Sequence, residues 1–152
     1  MDFLYNLIKF LHIMLTILAV GFNISYGMWL SQAKKDPTKL EYTLKGIKYL
    51  DDRFANPAYL MLMVTGVIMI LVAGSTMTAF WLWFSTILWV IMMLMAYLMY
   101  TPSLRRQIQT LQKTGTNSLE YRSLAARVQV IGLVLAFMVV VIILLMVYKP
   151  TF

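Results

Sequence analysis

"AFWLWFSTILWVIMMLMAYLMY", Ala79 to Tyr100, contains no charged side chain. At ~1.5 Å of rise per residue, a helix of this length matches the ~30 Å hydrocarbon core of a bilayer. A backbone in lipid must satisfy its own hydrogen bonds, so the stretch reads as a transmembrane helix. Three more apolar blocks flank it, at about 3–30, about 55–73 and about 128–148. The expected fold is all-α, a single four-helix transmembrane domain with 79–100 as its third span. Composition agrees. Only 12% of the residues are charged and 61% are hydrophobic, too few charges to cover a soluble globule, where about a quarter is usual. The first apolar run is far longer than the ~7–15 residues of a signal-peptide core, so a retained helix is expected.

The connections differ in kind. "GSTMT", Gly74–Thr78, is short and uncharged, which predicts an antiparallel hairpin with Gly74 at the helix end. The other two connections are long and basic. Of thirteen Lys and Arg, all but Lys9 and Lys149 lie in or beside them: Lys34, Lys35, Lys39, Lys45, Lys48 and Arg53 at the first, Arg105, Arg106, Lys113, Arg122 and Arg127 at the second. The positive-inside rule makes both loops cytoplasmic and puts both termini outside, as in a multi-pass protein of the bacterial plasma membrane. The net charge of +7 then reports topology and no nucleic-acid partner.

Both loops are expected to be helical. Asp36 can cap and Pro37 can take the first helical position. Leu40, Leu44, Ile47, Leu50 and Phe54 then share one apolar face, which predicts a surface helix at anionic lipid headgroups. Thr101–Pro102 opens a similar stretch ending at Gly115. "NSLE", Asn117–Glu120, has capping-box spacing and predicts a helix entering the fourth span. "NP", Asn56–Pro57, is expected to start the second span. Trp29, Tyr97 and Tyr100 near the inner boundary and Trp81, Trp83 and Tyr148 near the outer one form an interfacial belt, with Trp89 mid-span.

Candidate chemistry sits on the first helix. Lys9, His12 and Thr16 share a face, and Asn23 falls near it about three turns on. A polar stripe on a spanning helix should face the bundle interior. His12, the only histidine, has three readings: a hydrogen bond to a neighbouring helix, an axial haem ligand, or a proton or quinone contact. Bis-histidine ligation would need His12 of a second copy. Lys9 near the helix end can snorkel to headgroups. At the inner side Asp51, Asp52 and Arg53 read as a local ion-pair junction, or as a gate or headgroup site pairing with Arg105, Arg106 or Arg127. Most of the thirteen methionines lie in apolar runs, where they read as packing residues and no copper site. Cysteine is absent, and no HExxH, phosphate loop or nucleophile–base pair occurs.

Three segments carry a family resemblance: "KFLHI…AVG" within Lys9–Gly21, "LDDRFANPAYLMLMVTG" at Leu50–Gly66, and "LLMVYKP" at Leu144–Pro150. Together, over the whole chain, they resemble the domain of unknown function 2269 family of predicted bacterial integral membrane proteins. That resemblance implies a membrane fold and no established activity. Through Leu11, His12 and Gly21 the first helix is also similar to the HemJ-type protoporphyrinogen oxidases and the copper resistance D proteins. The similarity to the oxidases implies haem b at His12, although a second histidine is missing. The expected function is haem- or quinone-associated redox work centred on His12. The alternatives are a non-enzymatic scaffold or assembly subunit, then a small transporter. A homodimer or another membrane protein is the expected partner beyond the bilayer.

Overall fold

The computed structural model describes residues 2–73 and 79–150, and among them every regular element is helical. The helices are α1 (Asp2–Ala33), α2 (Pro37–Leu50), α3 (Asn56–Val72), α4 (Phe80–Met95), α5 (Thr101–Thr114) and α6 (Leu119–Tyr148). Four helical rods are long and apolar enough to cross a membrane, as the sequence led us to expect. The Gly74–Thr78 hairpin lies outside the described residues.

The long loops are not separate surface helices. A π-helical turn, Asp51–Ala55, joins α2 to α3, and another, Ala96–Tyr100, joins α4 to α5. Each makes one unbroken rod, Thr38–Val72 and Phe80–Thr114, of 35 residues. At ~1.5 Å per residue such a rod is ~52 Å long, so ~20 Å projects beyond the lipid core. The cause is proline. Pro57 and Pro102 lack an N–H and would crowd the carbonyl four residues back. Widening the preceding turn relieves the clash. Asn56 N–H donates to the Asp51 carbonyl and Thr101 N–H to the Ala96 carbonyl, five residues back in each case. "NP" therefore marks a wide turn inside a helix, where the sequence led us to expect a start.

The projecting parts build their own core. Leu40, Leu44 and Ile47 of α2 pack with Leu104 of α5, Tyr26 and Ala33 of α1, and Tyr121 and Val128 of α6. Leu40, Leu44 and Ile47 are thus covered by protein, which corrects the expectation that this face lies on lipid, while Phe54 at the end of the stripe is exposed. Caps define the ends. The Asp36 carboxylate accepts from Thr38 N–H at 3.2 Å and from its hydroxyl at 2.6 Å. Ser118, one position after the expected Asn117, caps α6 by accepting from Tyr121 N–H. Gly115, at φ 72°, ends α5 in a conformation that favours glycine.

Within the spanning part, α1 packs along α3 and α6 along α4. His12 meets Thr65, and Asn23 meets Tyr59, so α1 and α3 run antiparallel. The Lys149 ammonium lies over the Trp81 ring, 5.5 Å from its centroid, which puts the end of α6 beside the start of α4. The start of α1 and the end of α6 therefore lie at the same end of the bundle, and the two π turns lie toward the other. One buried cluster spans the two pairs, with Ala19, Ala55 and Ala58 from one and Met92, Met93 and Val139 from the other, while the helix backbones of the two pairs stay apart.

Candidate functional site

The two helix pairs do not close on each other along their whole length. Between them, where the π turns widen the rods, lies a cavity of about 410 Å³. Its floor is apolar, with Met92 and Met93 from α4 and Leu135 and Val139 from α6. Away from its opening, its polar groups come from four elements. Asn23 and Tyr26 lie on α1, Asp51 on the first π turn, Asn56 and Tyr59 on α3, and Tyr100 on the second π turn. Asn23 Nδ2 donates to the Tyr59 hydroxyl. Asn56 Nδ2 donates to Asp51 Oδ2 at 3.3 Å, fixing a carboxylate that is only 6% exposed. Asp51 lies within electrostatic reach of Tyr26, Tyr59 and Tyr100. Tyr26 is 6% exposed, and its hydroxyl has no hydrogen-bond partner. A buried phenol left unpaired costs ~1–3 kcal/mol, a cost that a water or a ligand oxygen in the cavity would relieve.

The cavity has a side opening. Gly27 and Ser31 of α1 and Gln129 and Leu133 of α6 line it, and all four are exposed. Lys34 Nζ donates to Gln129 Oε1 at 3.1 Å across this gap. A Cβ added at Gly27 would meet nothing within 4 Å, so the mouth is open there.

His12 lies elsewhere. It is half-buried nearer the terminal end, with Nδ1 2.7 Å from Thr65 Oγ1. Thr65 Oγ1 also stands 2.9 Å from the Met61 carbonyl and 3.1 Å from that of Leu62. When the threonine proton goes to either carbonyl, Nδ1 is the donor and Nε2 keeps its lone pair. The ring packs against Gly66, where an added Cβ would lie in ordinary contact with His12 Cε1 at 3.5 Å. The Thr16 hydroxyl donates to the His12 carbonyl at 2.9 Å, and Lys9 is exposed. Of the expected stripe, only Asn23 lines the cavity. Among the described residues no three His, Asp or Glu gather as a metal site.

The inner-side cluster separates as well. Asp52 pairs with Lys48 one turn back on its own rod, and Asp51 turns inward to Asn56. Arg53, Arg105, Arg106 and Arg127 are exposed and form no ion pair with either acid among the described residues. Arg106 instead lines a polar groove of about 470 Å³ between α5 and α6, with Lys113 and Glu120.

Sequence reasoning missed Tyr26, Tyr59, Asn56, Lys34 and Gln129, and placed Tyr100 in the interfacial belt. One signal was available: Asn23 and Tyr26 are three apart, hence on one helix face. The convergence with Tyr100 joins residues far apart in the chain and leaves no local trace.

No curated protein and no solved structure matches the chain. A family model, that of the predicted integral membrane proteins DUF2269, matches residues 6–150. The chain belongs to that family.

Proposed function

We propose that this DUF2269 protein binds a lipid-soluble small molecule, taken from the bilayer through the gap between α1 and α6 and held by its polar end in the cavity. The observation that carries this reading is the buried, unpartnered Tyr26 hydroxyl in a cavity that opens sideways. A pocket of about 410 Å³ falls within the ~300–1,000 Å³ usual for small ligands, with a mainly apolar lining and few polar groups. The positive-inside rule puts the basic end in the bacterial cytoplasm, so the cavity lies in the inner half of the membrane. The exposed Arg53, Arg105, Arg106 and Arg127 then face anionic headgroups, at ~1 kcal/mol per basic residue near the surface.

The test is to extract the protein with its surrounding lipid and identify by mass spectrometry what comes with it. Wild type should retain a stoichiometric small molecule that Gly27→Phe, which blocks the mouth, loses. Identical profiles from the two proteins would sink the reading.

A second reading keeps His12 as the centre. Its Nε2 lone pair, with the ring held by Thr65, is what a haem iron needs from an axial ligand. A second copy would supply the other ligand. The visible spectrum of the purified protein tests this: no Soret band after haem addition removes it.

A further inference from the structure

We infer that the groove between α5 and α6 is a docking surface for an acidic segment of a cytoplasmic protein. The inference is independent of the cavity and of what the cavity holds.

Charge is spread unevenly over the projecting half. Lys39, Lys45 and Lys48 of α2 each pair with an acid three or four residues away along the chain: Asp36, Glu41 and Asp52. Glu41 also accepts from Gln112 of α5 at 2.7 Å, so α2 leaves no acid free for the bases of α5. Those bases are Arg105, Arg106 and Lys113, and Arg122 and Arg127 follow on α6. All five are exposed, and none is in an ion pair among the described residues. Glu120 is the only acid on α5 and α6. Uncompensated charge of one sign along a groove attracts a partner of the other sign.

The groove, of about 470 Å³, has one wall from each helix. Arg106, Gln109 and Lys113 recur at spacings of three and four, so they share one face of α5. Glu120 and Ser123 belong to the α6 wall. The Thr110 hydroxyl donates to Glu120 Oε1 at 3.5 Å, and the Thr114 hydroxyl lies 2.8 Å from that of Ser118. These contacts tie the walls together and leave Arg106 and Lys113 for an occupant.

Depth decides between lipid and protein. From Phe80 to Tyr100 the rod covers ~30 Å, the thickness of the hydrocarbon core, so Tyr100 marks its inner edge. Arg106 and Lys113 follow by ~9 and ~20 Å, whereas a headgroup layer is only ~5–8 Å thick. Arg106 can reach back to headgroups, but Lys113 stands in water. Spacing then favours a polypeptide. The two bases lie two turns apart, ~10 Å along the axis. Carboxylates two turns apart on a partner helix, or three residues apart on a strand, repeat at that distance. Glu120 disfavours nucleic acid: a backbone with a charge on every nucleotide would bring a phosphate against it, whereas a peptide can present an N–H or a lysine there.

The experiment places the full chain in nanodiscs of neutral phosphatidylcholine. The probe is a fluorescent helical peptide with glutamates two turns apart and a single lysine, and anisotropy reads its binding. Wild type should bind it saturably, more weakly as salt rises. Binding should be about fivefold weaker in the Arg106→Gln, Lys113→Gln double variant, which removes two exposed ion pairs. It should stay within about twofold in Lys39→Gln, Lys45→Gln, whose cations neighbouring acids already neutralise. All four side chains are exposed, and gel filtration checks that both variants fold. Equal weakening in the two double variants would reduce the effect to general attraction and overturn the groove. No weakening in the α5 variant would do the same. An oligothymidylate of equal charge that binds more tightly than the peptide would overturn the acidic-protein assignment.

Discussion

The same rods pass through two environments and turn opposite faces to them. In the spanning half, large apolar side chains such as Leu60, Leu71, Phe137 and Val147 point outward and are exposed. Polar pairs, His12–Thr65 and Asn23–Tyr59, lie between helices. In the projecting half, Leu44 and Leu104 are 1% exposed, and the charges of Lys39, Lys45, Arg105 and Arg106 point out. The difference is one of solvent. Water drives apolar surface inward, whereas lipid gives no such push and leaves helix contact to close packing and hydrogen bonds. The π turns fall where one regime gives way to the other, and the cavity opens there.

The comparison predicts its own largest effect. Leu44→Ala or Leu104→Ala should destabilise by ~2–5 kcal/mol, since each vacates a filled site in a water-facing domain. Leu60→Ala, on the lipid face, should stay within ~0.5 kcal/mol. Unfolding of the purified protein in mixed micelles measures both, and equal losses would break the distinction. Next in size, Thr65→Val should cost ~0.6 kcal/mol and at most ~1.7, the range for hydrogen bonds between spanning helices. A larger loss would mean that the His12–Thr65 contact holds more than two helices together.

The smallest effects belong to the surface of the projecting half. The Lys45–Glu41 pair, at 2.6 Å, is solvent-exposed. Removing Lys45 should change stability little, with less effect still at high salt. Asp36 gives a pH signature. Hydrogen bonds from the Thr38 hydroxyl and then from Lys39 hold its carboxyl below the usual carboxylate value. A depressed folded value means its capping contribution is complete above pH 3.8 and disappears as pH falls through the lower folded value. Protection of the amides in the first turn of α2, corrected for the intrinsic pH dependence of exchange, should therefore fall only at strongly acidic pH. Protection that stays unchanged through that acid range would mean that the Asp36 cap does not hold the turn.

Local pattern was enough to find four spans, two basic connections, the cap at Asp36 and the end at Gly115. Each is written in neighbouring residues: an uncharged run, a side chain that reaches its own backbone, a glycine that tolerates positive φ. His12 also yielded to sequence, since its hydrogen bond to a neighbouring helix was one of its expected roles. The prolines misled because local chemistry says only that a regular turn cannot continue; whether the chain stops or widens is settled by what packs beyond it. Here α1, α5 and α6 cover α2, and the rod goes through. The cavity was the least legible part. Tyr26, Asp51, Tyr100 and Gln129 are separated by tens of residues, and a tyrosine near a helix end looks the same whether it faces headgroups or an interior space. The solvent of each segment is a property of composition, so the sequence determined it alone. Which polar groups meet, and which are left without a partner, Tyr26 among them, depends on how two helix pairs lean together, and only the tertiary structure decided that.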